Sequence, residues 1–207
     1  ASNLTVTPER ATKVAFSDPY ITDVSEVVVS GPSSPEIDSL DGLSGRELLL
    51  VEGSSYAVHA RQLSDELVRR GRKPIRIHTP ERPLENDDIL ELVAAGSVSF
   101  TACDRHVAEL WAKVLPNLNV HSDLALASGN NIAFAVRPES RELLASLNRF
   151  VADHKKGTLL GNMLFKRYFV DPRWCRESLQ PPTNDRLGQL ASDFKQYAAK
   201  YEFDWLL

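Results

Sequence analysis

Cysteine is scarce in this sequence of 207 residues, which contains only Cys103 and Cys175. Two cysteines are too few for a disulfide-stabilised fold, and they lie too far apart for a redox pair. Because Cys103 ends a predicted buried strand and Cys175 lies in a predicted linker, we expect two free thiols. The five histidines form no HxxxH or HxH pair, so we expect neither a metal site nor a bound cofactor.

Long apolar runs and an excess of basic charge are also missing. No run approaches the roughly 18–20 residues of a membrane span, and residues 1–20 lack the charged-then-apolar order of a signal peptide. We therefore expect any export signal or anchor to lie outside this sequence. The net charge is −4 and lysines and arginines form no dense cluster, which argues against a nucleic-acid partner. With 43% hydrophobic and 25% charged residues, the composition is that of a globular protein.

From residue 47 onward, strand-like and helix-like segments alternate. The pattern predicts strands at residues 47–52, 74–78, 98–103 and 118–121, and helices at residues 54–72, 87–95 and 104–114. Such alternation is typical of a parallel sheet covered by helices on both faces. We therefore predict an α/β fold in which residues 23–123 form a complete, parallel, three-layer lobe. Trp111 lies on an apolar helical face and is expected in the core.

Strand patterns at residues 27–30 and 131–136 flank this lobe on both sides. A chain that leaves a lobe twice is typical of a two-lobed protein whose hinge is crossed twice. The other lobe would comprise residues 1–22 and 124–170, with helices at about 139–155 and 158–168. This is too little chain for a sheet of normal size, so we expect an incomplete lobe.

The C-terminal part differs from both predicted lobes. Residues 171–185 contain prolines and predict a linker, whereas residues 186–207 carry apolar side chains at helical spacing and predict a helix. The sequence ends on the apolar run Trp205-Leu206-Leu207, and its first residues already resemble part of a binding site. We therefore expect both ends to lie inside a longer protein.

Two loops of the predicted complete lobe carry polar residues where ligands bind in such sheets, at the carboxyl ends of strands. Gly53-Ser54-Ser55 opens a helix, so its N–H groups and hydroxyls could receive a carboxylate. Asp104 opens another helix, whose dipole is expected to keep the carboxylate ionised and able to pair with an ammonium. Ser54 and Asp104 are also ordinary N-cap residues, and capping alone would account for either.

Arg10 becomes informative only in combination with Asp104, because a lone arginine is usually solvated. A free amino acid presents a carboxylate and an ammonium. The planar guanidinium of an arginine matches the carboxylate, and an aspartate accepts from the ammonium. Arg10 and Asp104 would come from different lobes and hold opposite ends of one zwitterion.

The stretch "NLTVTPERATKVAFSDPY" at residues 3–20 resembles the signature of extracellular solute-binding protein family 3, the polar amino-acid-binding periplasmic proteins. That signature has a Gly or similar residue, then x-Thr-x-Thr-x-x-Arg, then Phe-Ser-x-Pro-Tyr. Asn3, Thr5, Arg10 and residues 16–20 match it in order, with Asn3 where Gly is usual. The resemblance covers about residues 1–168 and implies a periplasmic binding protein-like type II fold.

The resemblance also assigns roles to individual residues. It implies that Thr5 and Arg10 hold the ligand carboxylate, that Ser54 or Ser55 assists from the facing lobe, and that Asp104 takes the α-amino group. The ligand-binding residues expected on this basis are Asn3, Thr5, Arg10, Gly53, Ser54, Ser55 and Asp104. Because the first strands of the incomplete lobe are expected to be absent, we expect free amino acids to bind poorly or not at all.

The segments "GNMLFKRYF" at 161–169 and "FKQYAAKYEFDWLL" at 194–207 resemble the membrane-bound lytic murein transglycosylases. In that family an amino-acid-binding module precedes a lysozyme-like catalytic domain, here expected beyond Leu207. The resemblance implies a periplasmic regulatory domain that senses an amino acid or a peptidoglycan stem peptide, in an outer-membrane-associated parent. The Glu177-Ser178 pair lies in the Pro-flanked linker and lacks the helical context of a catalytic Glu-Ser motif. We therefore expect no catalytic residue in this chain.

Two other functions remain open. The same fold and site would suit an amino-acid-binding receptor of an ABC transporter, although the segment after residue 170 argues against it. The cyclohexadienyl dehydratases also resemble these binding proteins, but such chemistry needs an acid or a base in the cleft. The candidates are Glu9 and His106, and both are expected to be surface residues.

Overall fold

A computed structural model describes residues 3–80, 84–179, 196–197 and 200–201. Ala1–Pro172 form one compact unit and Arg173–Leu207 a second. The strands are β1 (Leu4–Thr5), β2 (Ala15–Phe16), β3 (Ile21–Ser30), β4 (Glu47–Leu49), β5 (Arg76–His78), β6 (Phe100–Asp104), β7 (Asn119–Ala133) and β8 (Ala135–Val136). The helices are α1 (Pro8–Ala11), α2 (Ser55–Arg69), α3 (Asn86–Ala94), α4 (Arg105–Ala112), α5 (Arg141–His154), α6 (Leu159–Phe169) and α7 (Arg173–Leu179), with a short 3₁₀ helix at Leu40–Leu43.

Six strands form a mixed sheet in the order β1-β7-β3-β6-β4-β5. Strand β4 runs parallel to β5 and β6, whereas β3 is antiparallel to both β6 and β7, and β1 is antiparallel to β7. The predicted parallel arrangement holds for the alternating strands β4, β5, β6 and β7, which all run in one direction, since β6 and β7 both oppose β3. Strands β3 and β1 run the other way and make the sheet mixed. Strand β3 precedes that alternation and inserts between β6 and β7, which no local pattern reveals.

Strand β7 is the largest difference from the predicted elements. The apolar patterns at residues 118–121 and 131–136 predicted two strands, whereas β7 is one continuous strand of 15 residues. Its middle contains polar residues and Gly129, whose φ is +73°, and these interrupt the apolar pattern. Its pairing with β3 shifts register at several points, as expected for bulged strands that bend. The two long strands β3 and β7 thus connect the part of the first unit that contains α2, α3 and α4 with the part that contains α5 and α6.

Helix α2 shows how the sequence sets helix boundaries. The Ser54 hydroxyl accepts a hydrogen bond from the Ala57 N–H at 3.2 Å, which caps the helix N-terminus. Gly71, with φ +76°, follows the C-cap and ends the helix. The buried residues lie mainly three or four positions apart and face the sheet: Tyr56, Ala57, Ala60, Ser64 and Leu67. The predicted helices at residues 54–72, 87–95 and 104–114 are confirmed within a few residues at each end.

The core of the first unit lies between the six-stranded sheet and helices α2, α3 and α4. Its largest fully buried apolar side chains are Phe100, Leu43, Leu48, Leu50, Leu67, Ile89, Leu90, Leu110, Ile132, Val27 and Val28. Trp111 is only 5% exposed, which confirms its predicted place in the core. Cys103 is a free, buried thiol on β6, as predicted, and Cys175 is buried as well.

The rest of the first unit is built differently. Strands β2 and β8 form a separate two-stranded sheet. Helices α5 and α6 each contain one buried residue, Val151 and Gly161. Phe165 and Phe169 of α6 pack against a small buried cluster of Ile21, Val24 and Ile132 on β3 and β7. The boundaries of the two predicted lobes stay a prediction.

The second unit contains helix α7, which lies within the predicted linker at residues 171–185. Glu177 and Ser178 belong to this helix, so the expectation that the pair lacks a helical context is wrong. Residues 180–185 of that linker lie outside the described residues, as does most of the helix predicted at residues 186–207. Among the described helices, none combines the length and the hydropathy that a membrane crossing requires.

Candidate functional site

Arg10 joins the N-terminal segment to the loop before α2. It lies in α1, a single turn whose N-cap is Thr7, with the Arg10 N–H donating to the Thr7 hydroxyl at 3.2 Å. Its Nη1 donates to the Thr5 carbonyl at 2.9 Å and its Nη2 to the Gly53 carbonyl at 2.8 Å. A guanidinium has five donors, so three N–H groups remain for a carboxylate.

Thr5 and Ser55 form the second contact between the same two segments. Both are buried, with 6% and 3% exposure, and the Ser55 hydroxyl donates to Thr5 Oγ1 at 3.1 Å. Ser54 behaves differently, because its Oγ caps α2 and donates to the Val51 carbonyl at 2.6 Å. Ser54 therefore serves as the N-cap of α2, whereas the hydroxyl of Ser55 contacts Thr5.

Two backbone positions of this region have positive φ. Gly53 adopts φ +69°, and a Cβ built there would meet nothing within 4 Å, so the backbone conformation rather than space favours glycine. Asn3 adopts φ +58°, a region that asparagine tolerates better than most residues. This conformation accounts for asparagine at a position where the family signature usually has glycine.

Asn3 also contacts Tyr20, the last residue of the family-like stretch. The Asn3 N–H donates to the Tyr20 hydroxyl at 2.8 Å, and the Tyr20 ring packs on Phe134 with centroids 4.7 Å apart. Burial raises the pKa of Tyr20, and the charge of Asp104 contributes in the same direction. Tyr20 therefore lies within electrostatic range of Asp104.

Asp104 is 4% exposed and stands at the end of β6, directly before α4. Its side chain makes no capping hydrogen bond, and its Oδ1 is buried without a hydrogen-bond partner among the described residues. Burial raises its pKa to about 7, the negative charge of Glu26 adds to the rise, and a hydrogen bond with Tyr56 opposes it. A carboxyl with this pKa is partly protonated at neutral pH, whereas the sequence led us to expect a helix dipole that keeps Asp104 ionised.

Glu26 is a buried charged residue that the sequence reasoning missed. It is fully buried in β3, directly opposite Asp104 on β6. Its Oε2 lies 2.6 Å from His59 Nδ1, whereas its Oε1 has no partner among the described residues. A signal was available, because a glutamate within the apolar stretch Val24-Ser-Glu-Val-Val-Val is unusual for a buried strand.

The structure thus brings Thr5, Arg10, Gly53 and Ser55 into direct contact. Asp104 is linked to them through Tyr56, the residue that follows Ser55. Both sides of this cluster come from segments that the sequence placed in different lobes. Such an arrangement can receive a carboxylate at Arg10 and an ammonium at the buried carboxylate.

The two acid–base candidates lie elsewhere. Glu9 forms an exposed ion pair with Lys13. His106 is partly buried rather than on the surface as predicted, because its ring packs against Phe165 and Phe169 at centroid distances of 5.6 and 4.8 Å. Burial lowers the pKa of His106 to about 4. Within the described part of the chain, no group of three or more His, Cys, Asp or Glu side chains could hold a metal ion.

The sequence profile of the bacterial extracellular solute-binding proteins, family 3, matches residues 1–171.

Curated relatives match over the whole chain. The sequence is 29% identical over 215 residues to the membrane-bound lytic murein transglycosylase F of Pseudomonas putida (strain W619), covering 100% of this chain and 42% of that protein. It is 28% identical over 211 residues to the protein of the same name from Saccharophagus degradans (strain 2-40), covering 100% of this chain and 40% of that protein. The chain therefore spans less than half the length of these relatives.

Solved structures share the fold at low sequence identity. The substrate binding protein of an amino acid ABC transporter superposes with a TM-score of 0.66 at 22% identity, covering 82% of this chain and 69% of that chain. An ancestral arginine-binding protein bound to arginine gives a TM-score of 0.65 at 22% identity, covering 80% and 69%. These neighbours support the predicted type II binding-protein fold, here with a mixed sheet.

Proposed function

Because the chain belongs to the bacterial extracellular solute-binding proteins, family 3, we propose that it is the ligand-sensing domain of a peptidoglycan lytic transglycosylase. Its ligand is an amino acid or a peptidoglycan stem peptide. The observation that carries the proposal is the cluster in which Arg10 and Thr5 contact Gly53 and Ser55 near the buried Asp104.

In this proposal each end of the ligand has its own partner. Arg10 receives the carboxylate through its remaining N–H groups, with Thr5, Ser55 and the first N–H groups of α2 beside it. Asn3 and Gly53 supply the positive-φ backbone that positions these groups. Asp104 in its ionised form accepts from the ammonium.

The two predicted lobes, residues 1–22 with 124–170 and residues 23–123, would close on the ligand. The Arg10–Gly53 and Thr5–Ser55 contacts join segments of both lobes, so they describe a closed arrangement. A ligand that binds this arrangement more tightly than an open one shifts the population toward it. Closure would then move the linker at residues 171–185 and regulate a downstream catalytic domain.

The regulatory part of the proposal is supported by the relatives named lytic murein transglycosylase F, which match the whole chain yet extend well beyond it. We infer that the parent protein carries its catalytic domain in that additional length, in the periplasm and associated with the outer membrane. This chain supplies the binding module and no catalytic residue.

The affinity of this chain for free amino acids should be low. A ligand such as alanine has about six non-hydrogen atoms, and about −1.5 kcal/mol per atom sets a ceiling near −9 kcal/mol, or a Kd of about 1 μM at best. The chain matches only 69% of the neighbouring binding protein. The residues of this chain therefore do not supply the ligand contacts that the other part of such a binding protein contributes.

Isothermal titration calorimetry with a panel of free amino acids tests the proposal. We expect weak binding by the wild type and a loss of about tenfold or more in Arg10→Ala, because a charge-assisted hydrogen-bonded partner is removed. Arg137→Ala is the matched control, since that side chain is 83% exposed and pairs only loosely with Glu139. Equal binding by wild type and Arg10→Ala would contradict the assigned carboxylate site.

An amino-acid receptor of an ABC transporter is the second candidate, favoured by its similarity to the solved transporter binding protein. The reading frame beyond Leu207 distinguishes the two functions. A downstream Glu-Ser motif within a lysozyme-like domain supports the transglycosylase, whereas a stop codon soon after Leu207 supports the receptor. In the transglycosylase case, amino acid should change the parent's activity, and Arg10→Ala should abolish that response.

A further inference from the structure

We propose that Glu26 is a second ligand-binding carboxylate, which together with Asp104 receives the ammonium group of the bound amino acid. This inference rests on the proposed function, because it presupposes an amino-acid ligand at Asp104. It adds a residue that the family signature at residues 3–20 does not contain.

The pairing of β3 with β6 places the two carboxylates together. Glu26 and Asp104 are direct partners in this antiparallel ladder, so their side chains project to the same face with Cβ atoms about 4.5–5.5 Å apart. They are 0% and 4% exposed. Like charges directly opposite each other are unfavourable, and buried carboxylates are rare without partners. Two buried carboxylates that lie side by side therefore require a cation or a proton between them.

Each carboxylate has one oxygen without a partner. Glu26 Oε1 and Asp104 Oδ1 are both buried and accept no hydrogen bond from any described residue. Leaving a buried charged oxygen unpaired costs free energy. An ammonium carries three donors on one nitrogen, so a single ligand ammonium can donate to both oxygens at once.

The surrounding groups allow a balanced charge. His59 and Tyr56 face the pair from α2, Cys103 adjoins it on β6, and Tyr20 lies near it before β3. His59 Nδ1 contacts Glu26 Oε2 at 2.6 Å, so Glu26 Oε1 and Asp104 Oδ1 are the oxygens left for a ligand. Without ligand a proton on Asp104 relieves the repulsion between the two carboxylates, and with ligand the ammonium takes its place.

This exchange predicts a pH dependence of binding. Burial and Glu26 raise the pKa of Asp104 to about 7, and the ammonium needs the ionised carboxylate. Below that pH, binding must release the proton of Asp104, so affinity should fall about tenfold for each pH unit. Above it, affinity should be constant until the ligand's own ammonium titrates. Because both oxygens lack solvent access, the groups that cover them must move for the ligand to enter.

Titration of the intact chain with L-arginine and L-glutamine, and with N-acetyl-L-glutamine as the probe without an ammonium, tests the inference. We expect Glu26→Gln, which keeps the shape and removes the charge, to weaken binding of both amino acids about 10- to 100-fold. The same change should leave the weak binding of N-acetyl-L-glutamine unaltered. Glu109→Gln is the matched control, because Glu109 is an exposed carboxylate on the neighbouring helix α4.

The outcomes separate this inference from the proposed function. If wild type binds and Arg10→Ala does not, but Glu26→Gln binds like wild type, the inference is overturned while the proposed function stands. Equal losses for L-glutamine and N-acetyl-L-glutamine would show a purely structural role and also overturn it. Absence of binding of both amino acids by wild type at tens of millimolar would overturn this inference, and of the proposed function only the stem-peptide form would stand. Should Glu26→Gln fail to fold, Glu26→Asp retracts the carboxylate by one methylene, and amino-acid binding unchanged in that variant would refute the shared site.

Discussion

Two parts of the first unit bury their apolar side chains to very different extents. In residues 23–123, helices α2, α3 and α4 press fully buried side chains such as Leu67 and Leu90 against the sheet. In residues 124–172, helices α5 and α6 contain one buried residue each, and several large apolar side chains stay exposed. They include Leu143, Phe150, Leu159, Leu160, Met163, Leu164 and Tyr168. Burial of apolar area is the main favourable term in folding, so stability should be concentrated in residues 23–123.

The candidate site combines residues of the well-buried part with residues of the N-terminal segment 1–22. Glu26, Ser55 and Asp104 are held in the well-buried part, whereas Thr5 and Arg10 lie on a two-residue strand and a single helical turn. Segments with few buried contacts open at lower free energy than core segments. The arrangement suits a site whose ammonium half is rigid and whose carboxylate half can move to admit a ligand.

A matched pair of leucines gives the largest expected contrast. Leu67 on α2 is 0% exposed and Leu159 on α6 is 83% exposed. We expect Leu67→Ala to lower the free energy of unfolding by about 2–5 kcal/mol through lost burial and a cavity. Leu159→Ala should change it by less than about 0.5 kcal/mol. Urea unfolding followed by circular dichroism measures both free energies. A similar loss in the two variants would show that Leu159 is buried in solution.

Much of the well-buried part could be predicted from the sequence. The strands and helices between residues 47 and 114 follow local apolar periodicity, and local periodicity is what a single sequence displays. The direction of β3 could not be predicted in this way, because it depends on pairing with strands about 70 to 110 residues later in the chain. The continuity of β7 was hidden by its polar middle.

The candidate site shows the same division. Asn3, Thr5 and Arg10 were found because they belong to one short motif, and Ser55 because it opens a helix. Glu26 was missed because its significance comes from the residue opposite it on β6, which only the strand register defines. The raised pKa of Asp104 could not be predicted for a related reason, since burial and a neighbouring charge are properties of the packed structure.

Each of the two parts contains one glycine that lies in close contact with a neighbouring backbone. A Cβ at Gly31 would overlap the Val93 carbonyl oxygen in the well-buried part, and a Cβ at Gly161 would overlap the Lys155 carbonyl oxygen between α5 and α6. We expect Gly31→Ala to lower the free energy of global unfolding by about 1–3 kcal/mol. Gly161→Ala should instead open α5 and α6 locally.

Hydrogen exchange resolves this difference, because it reports local and global opening separately. In Gly161→Ala, amides of α5 and α6 should exchange faster while those of β3 and β6 keep wild-type protection. Gly129→Ala tests strain without a steric clash, since Gly129 has φ +73° and its Cβ would meet nothing within 4 Å. Faster exchange in β6 of Gly161→Ala would argue that the two parts unfold as one cooperative unit.

His106 lies where the two parts meet, and its titration should loosen their contact at acid pH. Its ring packs from α4 against Phe165 and Phe169 of α6, and burial, followed by the charge of Lys156, lowers its pKa from 6.5 to about 4. The unfolded chain therefore binds this proton more readily than the folded one between those values. Stability from neutral His106 is complete above pH 6.5 and is lost as pH falls toward 4, by about 1–2 kcal/mol at pH 5.

The titration of Asp104 has the opposite effect on folding stability over much of the same pH range. Its pKa is raised from 3.8 to about 7, so its contribution to stability is complete below 3.8 and is lost as pH rises toward 7. The pH dependence of wild type is therefore a sum of opposing parts, and variants must be compared with it. His106→Phe keeps a ring against Phe165 and Phe169 without a titrating group. Relative to wild type, it should become progressively more stable between pH 6.5 and pH 4, whereas a constant difference across that range would mean that His106 is free to protonate in the folded protein.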